Sequence, residues 1–92
     1  MLKLIYMTPF KKDFKKQKIK MNFDDFNEFF EVINKLRNSE VLEEKYIDHP
    51  LSGEYKDCRD CHIKPDLVLI YKINKKEHNL TLIRFNSHSE LF

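Results

Sequence analysis

The first residues of the chain change from alternating to helical hydrophobic spacing. Residues 2–6 alternate in a stretch too short for a helix, which predicts an opening strand. Thr8 can cap a helix, and a proline at the next position loses no helical hydrogen bond. The pattern therefore predicts a helix from about Pro9 to Lys20, with Phe10 and Phe14 one turn apart on its apolar side.

The rest of the chain predicts one more helix and then three strands. Asn22 is a second candidate N-cap, and apolar residues at helical spacing predict a helix from about Phe23 to Asn38. Short apolar runs at 56–63, 67–73 and 79–85 predict strands joined by antiparallel turns. The order β-α-α-β-β-β predicts an α+β fold, in which two N-terminal helices pack on one face of a mostly antiparallel four-stranded sheet.

Composition and length predict one domain over residues 1–92. The chain has 92 residues, 41% of them hydrophobic, with 8 Phe and 4 Tyr to fill a small core. A single Gly excludes a glycine-rich phosphate loop, which argues against ATP-driven or nicotinamide chemistry. No apolar run approaches the roughly 18 residues of a membrane span, so we expect a cytoplasmic protein with no membrane partner.

Charge is divided unevenly along the chain. Residues 1–20 carry a net charge of +6, residues 21–60 carry −6, and residues 61–92 carry +2. A basic block attracts phosphates or an acidic protein partner, although a solvated helix face explains it equally well. The acidic middle argues against a protein that coats nucleic acid uniformly.

Three of the four histidines lie in polar clusters near strand ends or in loops. Strand alternation predicts one row formed by Asp60, His62 and Lys64, and a second, on a neighbouring strand, formed by Arg84, Asn86 and His88 as long as that strand stays extended. Such groups can remove a proton, donate one and stabilise negative charge, as cleavage of an RNA phosphodiester requires. The RNA 2′-OH serves as nucleophile, so we expect neither metal nor cofactor. The alternative is that each histidine only satisfies nearby backbone groups.

Cys58 and Cys61 form a C-x-x-C pair inside a predicted strand. Alternation sends the two side chains to opposite faces, and no second cysteine pair completes a zinc site. We therefore predict reduced packing thiols and rank a zinc or redox module last.

Three short motifs resemble the YafQ-type toxins of the RelE/ParE superfamily, the toxic partners of bacterial type II toxin–antitoxin pairs. They are D-H-P-L at 48–51, R-D-x-H-x-x-P-D at 59–66 and S-H-x-x-L-F at 87–92. The resemblance implies a RelE-like fold and an endoribonuclease, or mRNA interferase, that cleaves mRNA, often in the ribosome. It also implies inhibition by a cognate antitoxin, with operator DNA bound only through the toxin–antitoxin complex.

The resemblance also assigns site residues by position. It implies a catalytic group, in which the order of acid and base stays open, and an RNA-binding or supporting group. The catalytic group is His49, His62, Asp66 and His88, and the supporting group is Asp60, Arg84 and Phe92, to which the predicted strand row adds Lys64. In this scheme Asp66 tunes an imidazole, Arg84 and Lys64 offset phosphoryl charge, and Phe92 stacks on a base.

Two positions depart from the family pattern, and two alternatives remain. Leu67 stands where Trp is common, which removes a possible stacking surface, and Asn86 stands where Gly is common. The alternative to base stacking by Phe92 is that Leu91 and Phe92 together close the core beneath the sheet. The ParE branch of the superfamily inhibits DNA gyrase by binding, but a binding protein has no need of the three histidines.

Overall fold

Five strands form a single mixed sheet that is accompanied by three α-helices. The computed structural model describes all residues, Met1–Phe92. In chain order the elements are β1 (Lys3–Tyr6), α1 (Thr8–Gln17), α2 (Phe23–Arg37), β2 (His49–Pro50), β3 (Arg59–Lys64), β4 (Leu67–Asn74), β5 (Asn79–Asn86) and α3 (His88–Leu91). Short 3₁₀ turns lie at Glu44–Tyr46 and Gly53–Tyr55. None of the helices has the length and apolar character needed to cross a membrane.

The strand order is β1-β5-β4-β3-β2, with β1 parallel to β5 and every other pair antiparallel. The predicted α+β fold is confirmed, and β4 is the central strand that its continuous apolar run predicts. The predicted number of four strands is wrong. The extra strand, β2, pairs His49 with Asp60 and Pro50 with Arg59, and two residues are too few for a periodic signal.

The two helix starts differ in how they are capped. Met7, not Thr8, is the N-cap of α1, and no side chain caps it; that helix also ends at Gln17, earlier than predicted. At α2 the predicted cap is confirmed, because the Asn22 side chain accepts a bond from Asp25 N at 2.9 Å. The Asp25 carboxylate in turn accepts from Asn22 N at 3.0 Å, which completes a capping box worth about 1 kcal/mol.

The two faces of the sheet are filled very differently. The face under α1 and α2, the helix face, holds a core of 16 buried residues, including Phe10, Phe29 and Phe85. The opposite face, the open face, holds only four: Cys58, Val68, Ile70 and Leu91. Cys58 and Cys61 fall in different clusters, as alternation predicts, and burial raises the pKa of both thiols.

A carboxylate replaces strand pairing along the second half of β5. The parallel neighbour β1 pairs only with residues 79–82. Beyond them, Asp13 of α1 accepts bonds from Phe85 N at 2.9 Å and Arg84 Nε at 2.7 Å. Burial by itself would raise the Asp13 pKa, but these bonds outweigh it and hold that pKa below its ordinary value. Asp13 thus fixes α1 to the end of β5, two residues before α3.

A candidate active site on the open face of the sheet

The candidate site lies where β2, β3 and the start of α3 meet on the open face. Strand pairing sets His49 directly beside Asp60, and it sets His62 opposite Val68 in the centre of the sheet. The chain then returns along β5, and the His88 ring comes to 6.3 Å from the His62 ring, measured between centroids. Residues far apart in sequence therefore meet on one surface.

Asp60 is a buried carboxylate among imidazoles. Its side chain is 2% exposed, and His49 Nδ1 lies 3.1 Å from Oδ1. That proximity is an ion-pair contact without hydrogen-bond geometry, and Oδ1 has no hydrogen-bond partner. Burial raises the Asp60 pKa, while positive charge on His49, His62 and His88 acts to lower it.

Backbone carbonyls select the tautomer of two histidines. His49 Nδ1 lies 2.7 Å from the Ile47 carbonyl oxygen, and His62 Nδ1 lies 3.3 Å from the Pro65 carbonyl oxygen. A carbonyl only accepts, so in both rings Nδ1 must carry the proton. The Nε2 of each neutral ring is then an acceptor free to take a proton from a substrate.

His88 is positioned by a turn and not by strand alternation. β5 ends at Asn86, and the Ser87 side chain accepts a bond from Glu90 N at 3.3 Å as the cap of α3. The expected row of Arg84, Asn86 and His88 therefore does not extend to His88, because the strand ends first and His88 is the first helical residue. The turn nevertheless brings His88 to His62.

Asp66 lies at the site but contacts no imidazole. Its Oδ1 accepts a bond from the backbone N of His88 at 3.2 Å. The geometry therefore does not support the expected role of Asp66 in tuning a histidine ring. An acceptor at the first N–H of α3 fixes the backbone that carries His88.

Both cations expected near the phosphoryl group are bound to carboxylates of the helices. A register shift between His62 and Lys64 ends the regular alternation, and Lys64 Nζ bonds Asp25 at 3.2 Å. A second shift on β5 precedes Arg84, which forms two bonds to Asp13 at 2.7 and 3.1 Å. Each cation is thus ion-paired with a helix carboxylate, although Lys64 still lines a cleft together with His62, and the expected role of both cations at the phosphoryl group stays a prediction.

The last two residues divide the roles that sequence reasoning left open. Leu91 is buried in the small cluster of the open face, whereas Phe92 is 52% exposed. The Phe92 ring lies 4.9 Å from the His88 ring and meets Tyr55 edge-on at 6.1 Å. Only Leu91 closes the core, and Phe92 forms a surface beside the histidines.

Sequence reasoning missed the residues that hold the His49 segment in place. Asp48 Oδ1 accepts bonds from Tyr71 OH at 2.5 Å and Arg59 Nε at 3.3 Å. Tyr71 is buried in β4, so this contact ties the segment to the centre of the sheet. Asp48 belongs to the D-H-P-L motif, which was the one available signal, but its partners are 11 and 23 residues away.

The chain is similar to known bacterial toxins along nearly its whole length. Residues 2–92 match the model of the family described as YafQ, the bacterial toxin of a type II toxin–antitoxin system. The chain is similar to a metal-bound toxin from Helicobacter pylori, with 43% identity, full coverage of both chains and a TM-score of 0.90. It is also similar to E. coli YafQ in complex with DinJ, with 32% identity, a TM-score of 0.85, and coverage of 100% of this chain and 99% of that one.

Two curated relatives match over shorter segments. A Haemophilus influenzae protein is 44% identical over 66 residues, or 70% of this chain and 65% of the relative. The E. coli K12 mRNA interferase toxin YafQ is 42% identical over 60 residues, or 62% of this chain and 60% of the relative. The chain thus spans less than two thirds of the curated relatives it matches.

These similarities place the chain in the class of toxins with a RelE-like fold. The chain belongs to the YafQ family of bacterial type II toxin–antitoxin toxins. The gyrase-inhibitor alternative is not favoured by this assignment. A metal is bound in the H. pylori relative, but no group of three or more His, Cys, Asp or Glu side chains in this chain is arranged to hold one.

Proposed function

We propose that this protein is the toxin of a type II toxin–antitoxin pair and an endoribonuclease that cleaves mRNA. The observation that carries the proposal is the convergence of His49, His62 and His88 around the buried Asp60. Three imidazoles near one carboxylate supply the acid and base of phosphodiester cleavage. Translated message in the cytoplasm, including mRNA in the ribosome, is the proposed substrate.

In the proposed reaction the RNA supplies its own nucleophile. One histidine Nε2 takes the proton of the 2′-OH as its oxygen attacks the adjacent phosphorus. A second histidine, protonated, gives its proton to the leaving 5′-oxygen as the P–O5′ bond breaks. The products are a 2′,3′-cyclic phosphate and a 5′-hydroxyl. Asp60 stabilises the cationic imidazole, and the exposed Phe92 ring stacks on a neighbouring base.

The proposed antitoxin site is an apolar groove rimmed by lysines on the helix side. It measures about 530 Å³, and aromatic residues of β1, α1 and α2 line it together with Lys11, Lys15 and Lys18. Tyr6 and Phe30 there are 48% and 55% exposed. An amphipathic acidic segment that folds on binding matches both the apolar floor and the charge. In this proposal operator DNA is bound only by the toxin–antitoxin complex.

Incubation of purified protein with a defined mRNA, with and without ribosomes, tests the proposed function. A parallel reaction contains DNA gyrase and relaxed plasmid. We expect new RNA ends and unchanged supercoiling, and cut sites found only with ribosomes would define ribosome dependence. RNA that stays intact with and without ribosomes, together with inhibited supercoiling in the gyrase reaction, would contradict the proposal.

A further inference from the structure

A cleft beside His62 is not used by the proposed chemistry. It measures about 390 Å³, within the range of roughly 300–1,000 Å³ that is typical of small-molecule sites. Its walls come from α2, from the 3₁₀ turn at Glu44–Tyr46 and from the end of β3. The lining residues are Glu28, Lys45, Tyr46, Ile47, His62, Ile63, Lys64 and Pro65. His62 thus borders both the candidate active site and this cleft.

Ile47 gives the cleft an unusual apolar wall. The residue has φ of 49°, in the left-handed region, where a β-branched side chain is a genuine outlier. It is also 57% exposed, so core packing does not explain why an isoleucine occupies this position. Its carbonyl oxygen accepts a hydrogen bond from the His49 Nδ1–H group at 2.7 Å. The strained residue therefore links the cleft to a second histidine of the site.

The charges at the cleft favour an anion with an apolar part. Lys45 and Lys64 line it; Lys45 forms an exposed ion pair with Glu28 at 3.4 Å, and Lys64 forms a part-buried ion pair with Asp25 at 3.2 Å. The exposed pair is weak, so the Lys45 ammonium group can turn toward another anion. Glu28, the one acid in the lining, is also engaged by the Tyr46 hydroxyl.

We propose that this cleft is a nucleotide subsite of the RNase, in which the exposed Ile47 side chain packs on the base next to the scissile phosphate. Lys45 and Lys64 then contact the phosphate of that nucleotide. The inference rests on the proposed function and adds to it the place where the RNA chain leaves the histidines. It also makes Ile47 a residue that discriminates between substrates.

Chimeric oligonucleotides test the subsite. Each has a single ribonucleotide, so that only one bond can be cut, and in each member of the set one flanking base is replaced by an abasic residue. We expect one abasic substitution to lower the wild-type kcat/KM by about tenfold, as the loss of one apolar contact does. Ile47→Asn, which suits left-handed backbone, should lower kcat/KM on the intact substrate by a similar factor and abolish the penalty at that position only.

Control variants separate base contact from loop structure. Ile47→Val should restore the penalty, and Val41→Asn, at a position that is 93% exposed and outside the cleft, should change nothing. If Ile47→Asn slows intact and abasic substrates by the same factor, its role is only to hold His49 and the subsite is wrong. Wild-type indifference to every abasic position also overturns the subsite but leaves the RNase intact. Wild-type failure to cut any substrate overturns the proposed function itself.

Discussion

The two faces of one sheet in this protein serve different purposes. The helix face buries 16 residues, with the rings of Phe10, Phe29 and Phe85 within about 6.4 Å of one another. The open face buries four apolar residues and carries His49, His62 and His88 around a buried carboxylate whose Oδ1 has no hydrogen bond. Burying that charge is costly, so the open face cannot be the main source of stability. The comparison teaches that the helix face stabilises a site which the open face could not maintain alone.

The largest expected effect belongs to the open face. His62→Gln should lower RNA cleavage by about 10²- to 10⁴-fold, because it removes a proposed proton-transfer group. The melting temperature should hardly change, since the ring bonds only one carbonyl. Cleavage assays and thermal melts on the same preparation check this, with His78→Gln in an exposed turn as the matched control. An equal loss of RNA cleavage in His62→Gln and His78→Gln would contradict the assignment of the chemistry to the open face.

A helix-face change should have the opposite signature. Leu36 is 3% exposed in the main core, so Leu36→Ala should lower the free energy of unfolding by about 2–5 kcal/mol. Cleavage per folded molecule should stay at the wild-type level. Urea denaturation with parallel activity assays measures both quantities, and Phe23→Ala, at a residue 78% exposed, is the control. Loss of activity without loss of stability would contradict the division of roles.

Asp13, which holds α1 to the end of β5, should stabilise the fold in a pH-dependent way. Its folded pKa lies below the ordinary value of 3.8, so its stabilisation is present above that value and is lost as pH falls toward the folded pKa. Asp13→Asn should cost about 1–3 kcal/mol at pH 7 and flatten the acid limb of stability against pH. Denaturation between pH 2 and 7 measures this, with Glu77→Gln as control. An acid limb identical to wild type would exclude Asp13 as its source.

Deletion of Phe92 should have the smallest effect. Because the ring is half-exposed and Leu91 does the packing, the melting temperature should stay near wild type. Cleavage should fall by about 10- to 100-fold if the ring stacks on a base. Leu91→Ala is the comparison variant, because truncating this buried side chain should lower the melting temperature, whereas deleting Phe92 should not. Normal cleavage by a stable deletion variant would remove Phe92 from the site.

Sequence patterns predicted most of the fold but only part of the site geometry. Hydrophobic periodicity and the Asn22 cap are local signals, so the second helix and the central strand were predicted well. The carboxylate partners of Lys64 and Arg84 were not, because these partners lie on the helices, 39 and 71 residues away in sequence. The Asp13 contact with β5 spans more than 70 residues, and no local pattern encodes it.

The motif residues illustrate the same limit. Three histidines were identified by type and motif, and their convergence follows from the sheet. The contact of Asp66 with a backbone N–H, however, required the three-dimensional turn into α3. Residue type and motif position therefore predicted which groups assemble, whereas bulges and turns decide what each group contacts.

The central claim is that the histidines of the open face cleave RNA through the 2′-OH of the substrate. The most direct test compares an RNA cut by the wild type with the same RNA carrying one 2′-deoxynucleotide on the 5′ side of the cut. We expect a 2′,3′-cyclic phosphate and a 5′-hydroxyl from the first and no cleavage at that bond in the second. Cleavage of the deoxy-substituted bond at the same rate would contradict the account.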